Sequence, residues 1–200
     1  MGKNDRKQAK KVMKIALFAS GNGSNAENII CFSRKMQRFD VAAIITNNPR
    51  AGVIEKADRL SIPCFIINEA ELNSTDFLLK INDLGINALV LAGFLKKMPA
   101  ALIQAFPTLN IHPALLPKYG GKGMYGIHVH RAVVQNKESV SGITIHEVDE
   151  WYDHGPILFQ ATCTVNPGDT PEQVAEKIHA LEYEHYPLFI EKWLASKSAS

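Results

Sequence analysis

Two polar side chains that could act together on a carbonyl group, Asn110 and His112, end an apolar run in the sequence LNIHP. Residues i and i+2 of a strand project to the same face, so the two side chains should point one way. An amide N–H₂ and a protonated imidazole can both donate to one oxygen, and together they would stabilise an oxyanion on a carbonyl carbon. A strand-end Asn and His tied into backbone hydrogen bonds would leave the same pattern.

A carboxylate for this pair stands further along the chain, in the sequence DEWYDHGP. Asp153 lies there in a predicted turn between two strands. Beside His112 it would favour the imidazolium form, and partial burial would hold the pKa of Asp153 nearer neutrality, which suits proton relay. Asp149 and Glu150 of the same turn are competing candidates, and the pattern does not choose among the three.

The sequence SGNGSN, at positions 20–25, predicts a site for a phosphate group. Its glycines let the backbone approach a ligand closely, and the helix that follows directs free N–H groups at the same point. The spacing of G-x-G-x-x-G and the Lys-Ser/Thr pair of a P-loop are missing, which favours a monophosphate over a dinucleotide or a triphosphate. A tight turn capped by Ser24 or Asn25 would fit equally well.

Three further histidines have two interpretations each. His128 and His130 have the spacing of metal ligands, but a zinc site needs a third and fourth ligand, and no second cluster in the sequence supplies them. We therefore predict no metal. His146, in ITIHEV, fits either the polar cluster or an ordinary sheet face.

The elements that must position these residues alternate along the chain. Apolar runs separated by segments with helical spacing indicate a parallel sheet covered on both faces. The predicted strands are 14–20, 40–48, 62–68, 86–94 and 107–112, and the predicted helices are 26–36, 51–60, 75–85, 99–106 and 126–135. Ligands bind at the carboxyl ends of such strands, where GNGSN, AGF and NIHP all fall.

The C-terminal part changes character. Residues 140–150 and 155–165 alternate apolar and polar side chains, which predicts an antiparallel pair. A long helix with Thr170 as N-cap and Pro171 at its first position then closes the chain. The predicted fold class is α/β, with a doubly wound, mostly parallel sheet and an antiparallel addition towards the C-terminus.

Composition narrows the functional classes. The chain has 200 residues, of which 46% are hydrophobic and 21% charged, and a net charge of +2. This fits one domain, predicted at 13–195, with no general attraction to nucleic acid or membranes. Residues 1–12 are predicted to form a basic, disordered tail. Three widely spaced cysteines indicate reduced core residues and a cytoplasmic location.

The motifs together resemble those of the glycinamide ribonucleotide transformylase family. SGNGSN, VLAGF, LNIHPALLPKY, DHGP and EYEHYP occur in the family's order, and the similarity runs from Lys14 to about Leu194. The resemblance implies a Rossmann-like formyltransferase fold. It also implies direct transfer of a formyl group from the co-substrate 10-formyltetrahydrofolate to the amine of glycinamide ribonucleotide, in de novo purine biosynthesis.

The resemblance assigns roles by position. Asn110 and protonated His112 stabilise the tetrahedral oxyanion, and Asp153 keeps His112 charged and assists proton movement. The remaining assignments are Gly23, Ser24 and Asn25 to the substrate phosphate, Glu182 to the glycinamide end, Leu95, Lys96 and Met98 to the folate, and His146 to the surroundings of the trio.

Three features depart from the family pattern. Lys96 stands where the family often has Arg, residues 67–77 lack a second substrate-binding Arg, and the loop 118–130 is longer than usual. Its glycines fit a mobile lid or an enlarged surface loop. The protein is expected to act as a monomer or homodimer on two small molecules.

Competing functions fit the sequence less well. Methionyl-tRNA formyltransferase and formyltetrahydrofolate deformylase share the chemistry but need a further domain. A non-catalytic binding module should have lost Asn110, His112 or Asp153, all of which are present. A nicotinamide-dependent dehydrogenase needs spaced glycines and an acidic residue where ITNN stands.

Overall fold

The fold was obtained as a computed structural model, which describes residues 12–198. The strands are β1 (Met13–Phe18), β2 (Phe39–Thr46), β3 (Cys64–Ile66), β4 (Ala88–Leu91), β5 (Thr108–His112), β6 (Val140–Glu147) and β7 (Ile157–Thr164). The helices are α1 (Ser24–Met36), α2 (Val53–Arg59), α3 (Glu69–Leu72), α4 (Thr75–Asp83), α5 (Ala100–Ala105), α6 (Ile127–Gln135) and α7 (Pro171–Lys197). The predicted basic tail lies outside the described residues except for Val12, and the domain bounds stay a prediction.

The seven strands form one sheet in the order β3-β2-β1-β4-β5-β6-β7. Neighbours from β3 to β5 are parallel, whereas β6 is antiparallel to β5 and β7 is antiparallel to β6. The predicted fold class, including the antiparallel addition, is confirmed. The strand order reverses between β1 and β4, and the carboxyl ends beside such a switch point form the usual ligand crevice.

Both faces of the central strands are buried because successive side chains alternate between two cores. Ile15 and Leu17 of β1 enter one core, and Ala16 and Phe18 enter the other. The first core also holds Tyr186 of α7, which is fully buried. Its hydroxyl donates to the carbonyls of Leu91 (2.8 Å) and Leu109 (3.3 Å), so α7 is tied to both β4 and β5.

The ends of two elements illustrate what local sequence determines. Thr170 accepts a hydrogen bond from Gln173 N, and Pro171 occupies the first turn, so the predicted start of α7 is confirmed. The predicted strand 62–68 is shorter than expected. Asn68 and Glu71 form a capping box that starts the extra helix α3 just after β3.

No helix within residues 12–198 is both long and apolar enough to span a bilayer.

Candidate active site

The predicted His–Asp pair lies at the carboxyl end of β5. His112 Nδ1 is 3.4 Å from Asp153 Oδ2, and the two side chains are 4% and 11% exposed. His112 Nε2 is 2.7 Å from the Tyr119 carbonyl, which can only accept, so this nitrogen donates. Two acceptors therefore face the two ring nitrogens, and both are satisfied only when each nitrogen carries hydrogen.

Asn110 joins the pair through His146, its register partner on β6. Asn110 Nδ2 lies 3.0 Å from His146 Nε2, and His146 Nδ1 lies 2.9 Å from the Glu147 carbonyl. Because that carbonyl accepts, His146 carries hydrogen on Nδ1 and accepts at Nε2 from Asn110. His146 thus belongs to the polar cluster and orients the Asn110 amide, whose second hydrogen stays available.

Asp153 is the carboxylate that closes this network. Its Oδ1 lies 3.7 Å from His146 Nε2. Asp149 instead pairs with His154 at 2.7 Å and accepts from Trp151 N at 2.8 Å, and Glu150 is exposed. Of the three carboxylates that the pattern left open, geometry selects Asp153.

The prediction that burial raises the pKa of Asp153 towards neutral pH is wrong. Burial does raise the pKa of this carboxyl, but the interaction with His112 and the hydrogen bond from Gly121 N outweigh that effect. Together they hold the pKa below its ordinary value of 3.8. Asp153 is therefore a carboxylate at neutral pH and can accept a proton.

The long loop after β5 contacts this network twice, and both contacts are made by backbone atoms, which no sequence motif predicts. The Tyr119 carbonyl accepts from His112, and Gly121 N donates to Asp153 Oδ2 at 2.9 Å. The Tyr119 hydroxyl donates to Glu138 Oε1 at 2.9 Å, which holds the residue from its other end. Tyr119 and Asp153 both have left-handed φ angles, of 57° and 53°. Non-glycine residues in this region are often functional.

The predicted phosphate turn links β1 to α1 as expected. Gly23 has φ 75° and is the N-cap of α1, with no side-chain cap. A Cβ on Gly23 would lie 2.4 Å from Val53 Cγ2. Ser20, at the start of the motif, binds the segments that follow β2 and β4: its N–H donates to the Gly93 carbonyl, and its hydroxyl donates to Asn47 Oδ1 (2.5 Å) and accepts from Leu95 N (2.9 Å).

Asn25 and Glu182 are in direct contact, although 157 residues separate them along the chain. Asn25 Nδ2 donates to Glu182 Oε2 at 2.9 Å, and His179 Nδ1 lies 3.0 Å from the same oxygen. The hydrogen bond to Glu182 raises the pKa of His179. The assigned phosphate turn and the assigned glycinamide contact thus form one continuous surface.

The three residues assigned to the folate lie on the segment between β4 and α5, in different environments. Leu95 is 46% exposed, Met98 is buried, and Lys96 pairs with Glu69 at 3.2 Å on the surface. The neighbouring Lys97 lies 5.5 Å above the ring of Trp151, which belongs to the turn before Asp153. This contact joins the segment assigned to the folate to the turn that carries Asp153.

Two features lie apart from the network. His128 is exposed and His130 buried on α6, and residues 12–198 contain no group of three or more His, Cys, Asp or Glu side chains placed to hold a metal ion. A cavity of about 680 Å³ lies beside β3 and is lined by residues such as Phe65 and Phe77. Its lining includes none of the predicted site residues.

Residues 13–190 match the formyl transferase family. The chain belongs to this family. Among its relatives, the phosphoribosylglycinamide formyltransferase of Bacillus subtilis is 36% identical over 192 residues, which cover 90% of this chain and 94% of that protein. Among formyl transferases of known structure, the glycinamide ribonucleotide transformylase 1 of Geobacillus kaustophilus has a TM-score of 0.83 at 30% identity and covers 92% and 99% of the two chains. The resemblance drawn from the motifs is confirmed.

Plant formyl transferases are also similar but longer. The chloroplastic phosphoribosylglycinamide formyltransferase of Arabidopsis thaliana is 40% identical over 188 residues, and that of Vigna unguiculata is 38% identical over 186. The matches cover 89% of this chain in both cases, but only 63% and 60% of the plant proteins.

Gly23→Ala tests how tightly the turn between β1 and α1 is built. We expect the free energy of unfolding to fall by about 2 kcal/mol or more, because the left-handed φ and the contact with Val53 both oppose a side chain. Gly21→Ala is the matched control, since its Cβ would meet no atom within 4 Å, and a loss below about 1 kcal/mol is expected. Urea denaturation measures both, and equal losses would contradict the assignment of strain to Gly23.

Proposed function

We propose that the chain transfers the formyl group of 10-formyltetrahydrofolate to the amine of glycinamide ribonucleotide, in de novo purine biosynthesis. Membership of the formyl transferase family supports this, as do similar proteins named phosphoribosylglycinamide formyltransferase. The observation that carries the proposal is the continuous network of Asn110, His146, Asp153 and His112 at the carboxyl end of β5.

In the first step the amine attacks the formyl carbon, and a C–N bond forms as the carbonyl oxygen gains negative charge. Asn110 supplies an amide hydrogen to this oxygen, in an orientation that His146 fixes. His112 supplies the second donor as its charged form, which the Asp153 carboxylate stabilises. The second hydrogen of the Asn110 amide is available before the charge develops, which favours electrostatic stabilisation, whereas His112 must first release the Tyr119 carbonyl or Asp153.

In the second step the bond from the formyl carbon to folate N10 breaks. The attacking amine must lose a proton and N10 must gain one. Asp153 is ionised and lies within the network, so it can hold and polarise a water molecule that carries the proton from the amine to the leaving nitrogen. No covalent bond to the protein is needed at any stage.

The two substrates would approach from opposite sides of this network. The phosphate of glycinamide ribonucleotide is assigned to Gly23, Ser24 and Asn25, and its glycinamide end to Glu182. The folate is assigned to the segment with Leu95, Lys96 and Met98. Because the charge of Lys96 is shared with Glu69 and exposed to solvent, we expect it to contribute little to folate affinity.

An absorbance assay of folate deformylation tests the function directly. We expect turnover of 10-formyltetrahydrofolate only when glycinamide ribonucleotide is present. Release of formate without the ribonucleotide would identify a hydrolase, and no turnover under either condition would leave a binding module. The His112→Ala variant is the control, because activity from a contaminating enzyme would survive this substitution.

We propose that the protein is a monomer or homodimer that acts in the cytoplasm on small molecules, without nucleic acid, membrane or metal. The near-neutral net charge of +2 supports the first two exclusions. Sedimentation velocity with and without both substrates would measure the oligomeric state.

A further inference from the structure

Two buried polar atoms on α1 and α6, the helices that pack against α7 and Glu182, have no hydrogen-bond partner within residues 12–198. His130, on α6, is 3% exposed, and its Nδ1 has no hydrogen-bond partner within residues 12–198. Asn25 Oδ1 is also buried and without a partner in this part of the chain. Nearly all buried polar atoms in folded proteins are paired, so two such atoms near one carboxylate require a reason.

The hydrogen bonds of Glu182 determine what each atom can offer. Glu182 Oε2 receives Asn25 Nδ2 and His179 Nδ1, at 2.9 and 3.0 Å. Because Asn25 donates with its nitrogen, its amide orientation is set and Oδ1 is presented as an acceptor. Among the described residues no donor reaches Glu182 Oε1 either, so the unpaired side-chain atoms of Asn25 and Glu182 are acceptors.

His130 has the protonation state that an acceptor needs. Burial, together with the charges of His179 and His112, lowers the pKa of His130 to about 4 against the opposite effect of Glu182. The imidazole is therefore neutral at physiological pH and has one nitrogen free to accept. Helix α6, which carries His130, packs against α7, which carries His179 and Glu182.

We propose that His130 is a substrate-binding residue, and that its Nδ1 and Asn25 Oδ1 accept hydrogen bonds from N–H or O–H groups of glycinamide ribonucleotide. This rests on the function proposed above. An amine, an amide N–H and two ribose hydroxyls give the ligand donors that suit these unpaired acceptors. The unpaired atoms thus mark a subsite that only the bound substrate completes.

Replacements at position 130 separate this role from a structural one. In His130→Leu we expect the KM for glycinamide ribonucleotide to rise about tenfold, the effect of one lost hydrogen bond, with the KM for the folate unchanged. The unfolding temperature should stay the same or rise, because the ligand-free protein loses no hydrogen bond. His128→Leu, on the exposed side of α6, is the matched control and should leave both KM values unchanged.

His130→Asn and His130→Gln give a second comparison that does not depend on the Leu variant folding. The Asn amide occupies the place of Nδ1 and should recover most of the affinity, whereas the Gln amide extends to the place of Nε2 and should not. An unchanged KM for the ribonucleotide in His130→Leu, or equal values in the Asn and Gln variants, would overturn the proposal. Failure of the proposed function would be seen earlier, as wild-type protein without ribonucleotide-dependent turnover.

Discussion

Asp153→Asn is expected to lower kcat about 10³-fold while the protein stays folded. The amide keeps the shape of the carboxylate and an oxygen that can accept from Gly121 N, so the turn should be preserved. It cannot stabilise a charged His112 or take up a proton. Both losses act on the chemical step, so the KM values should change little. Steady-state kinetics with each substrate varied in turn measures the effect.

Asp149→Asn is the matched control, because this carboxylate lies in the same turn but pairs with the exposed His154. Its turnover should stay within about twofold of wild type, since exposed ion pairs contribute little. Circular dichroism and thermal unfolding establish that both variants are folded. Turnover of Asp153→Asn near that of wild type would refute the role given to this carboxylate.

Asn110→Ala is expected to lower kcat by about 10²- to 10³-fold, because one oxyanion donor is lost. His146→Leu should have a smaller effect, on the order of tenfold, because it only releases the amide from its fixed orientation. A double variant should be no slower than Asn110→Ala alone, since His146 acts through Asn110 in this respect. Single-turnover kinetics isolates the chemical step for all three proteins.

The double variant can also contradict the role given to His146. If its rate loss equals the product of the losses in Asn110→Ala and His146→Leu, His146 acts independently of Asn110, for example through its 3.7 Å contact with Asp153. A loss of less than about fivefold in Asn110→Ala would place the oxyanion elsewhere.

The sheet was predictable because its strands carry a strong local signal. The apolar runs around Leu17 and Leu89 are buried on both faces, and continuous apolar runs are typical of parallel strands in such sheets. The alternation in β7 likewise predicted an antiparallel strand. Short elements were harder, and α3 was missed because its four residues start from a capping box whose first residue, Asn68, is also the last residue of the predicted strand 62–68.

For the site, the sequence allowed a prediction of the side chains involved but not of the backbone atoms that contact them. Asn110, His112 and Asp153 were predicted from residue type and resemblance; the pattern alone left Asp149 and Glu150 open, and the resemblance chose Asp153, which lies beside His112. The contacts from Tyr119 and Gly121 are made by backbone atoms, and every residue type has the same backbone groups. The pKa of Asp153 was misjudged for a related reason, because burial was anticipated and the number of donors around the carboxylate was not.

The hydrogen bond between His112 Nε2 and the Tyr119 carbonyl has a consequence for selectivity between amine and water. With Nδ1 facing Asp153 and Nε2 donating to Tyr119, the imidazole has no hydrogen left for an oxyanion. The ring must exchange one of these partners before it can assist attack on a formyl group. Under the proposed function, a formyl-folate bound alone would therefore find no free donor on His112, and water would receive little help in hydrolysing it. The hydrogen bond between His112 and Tyr119 would thus protect the formyl group from hydrolysis until the amine substrate binds.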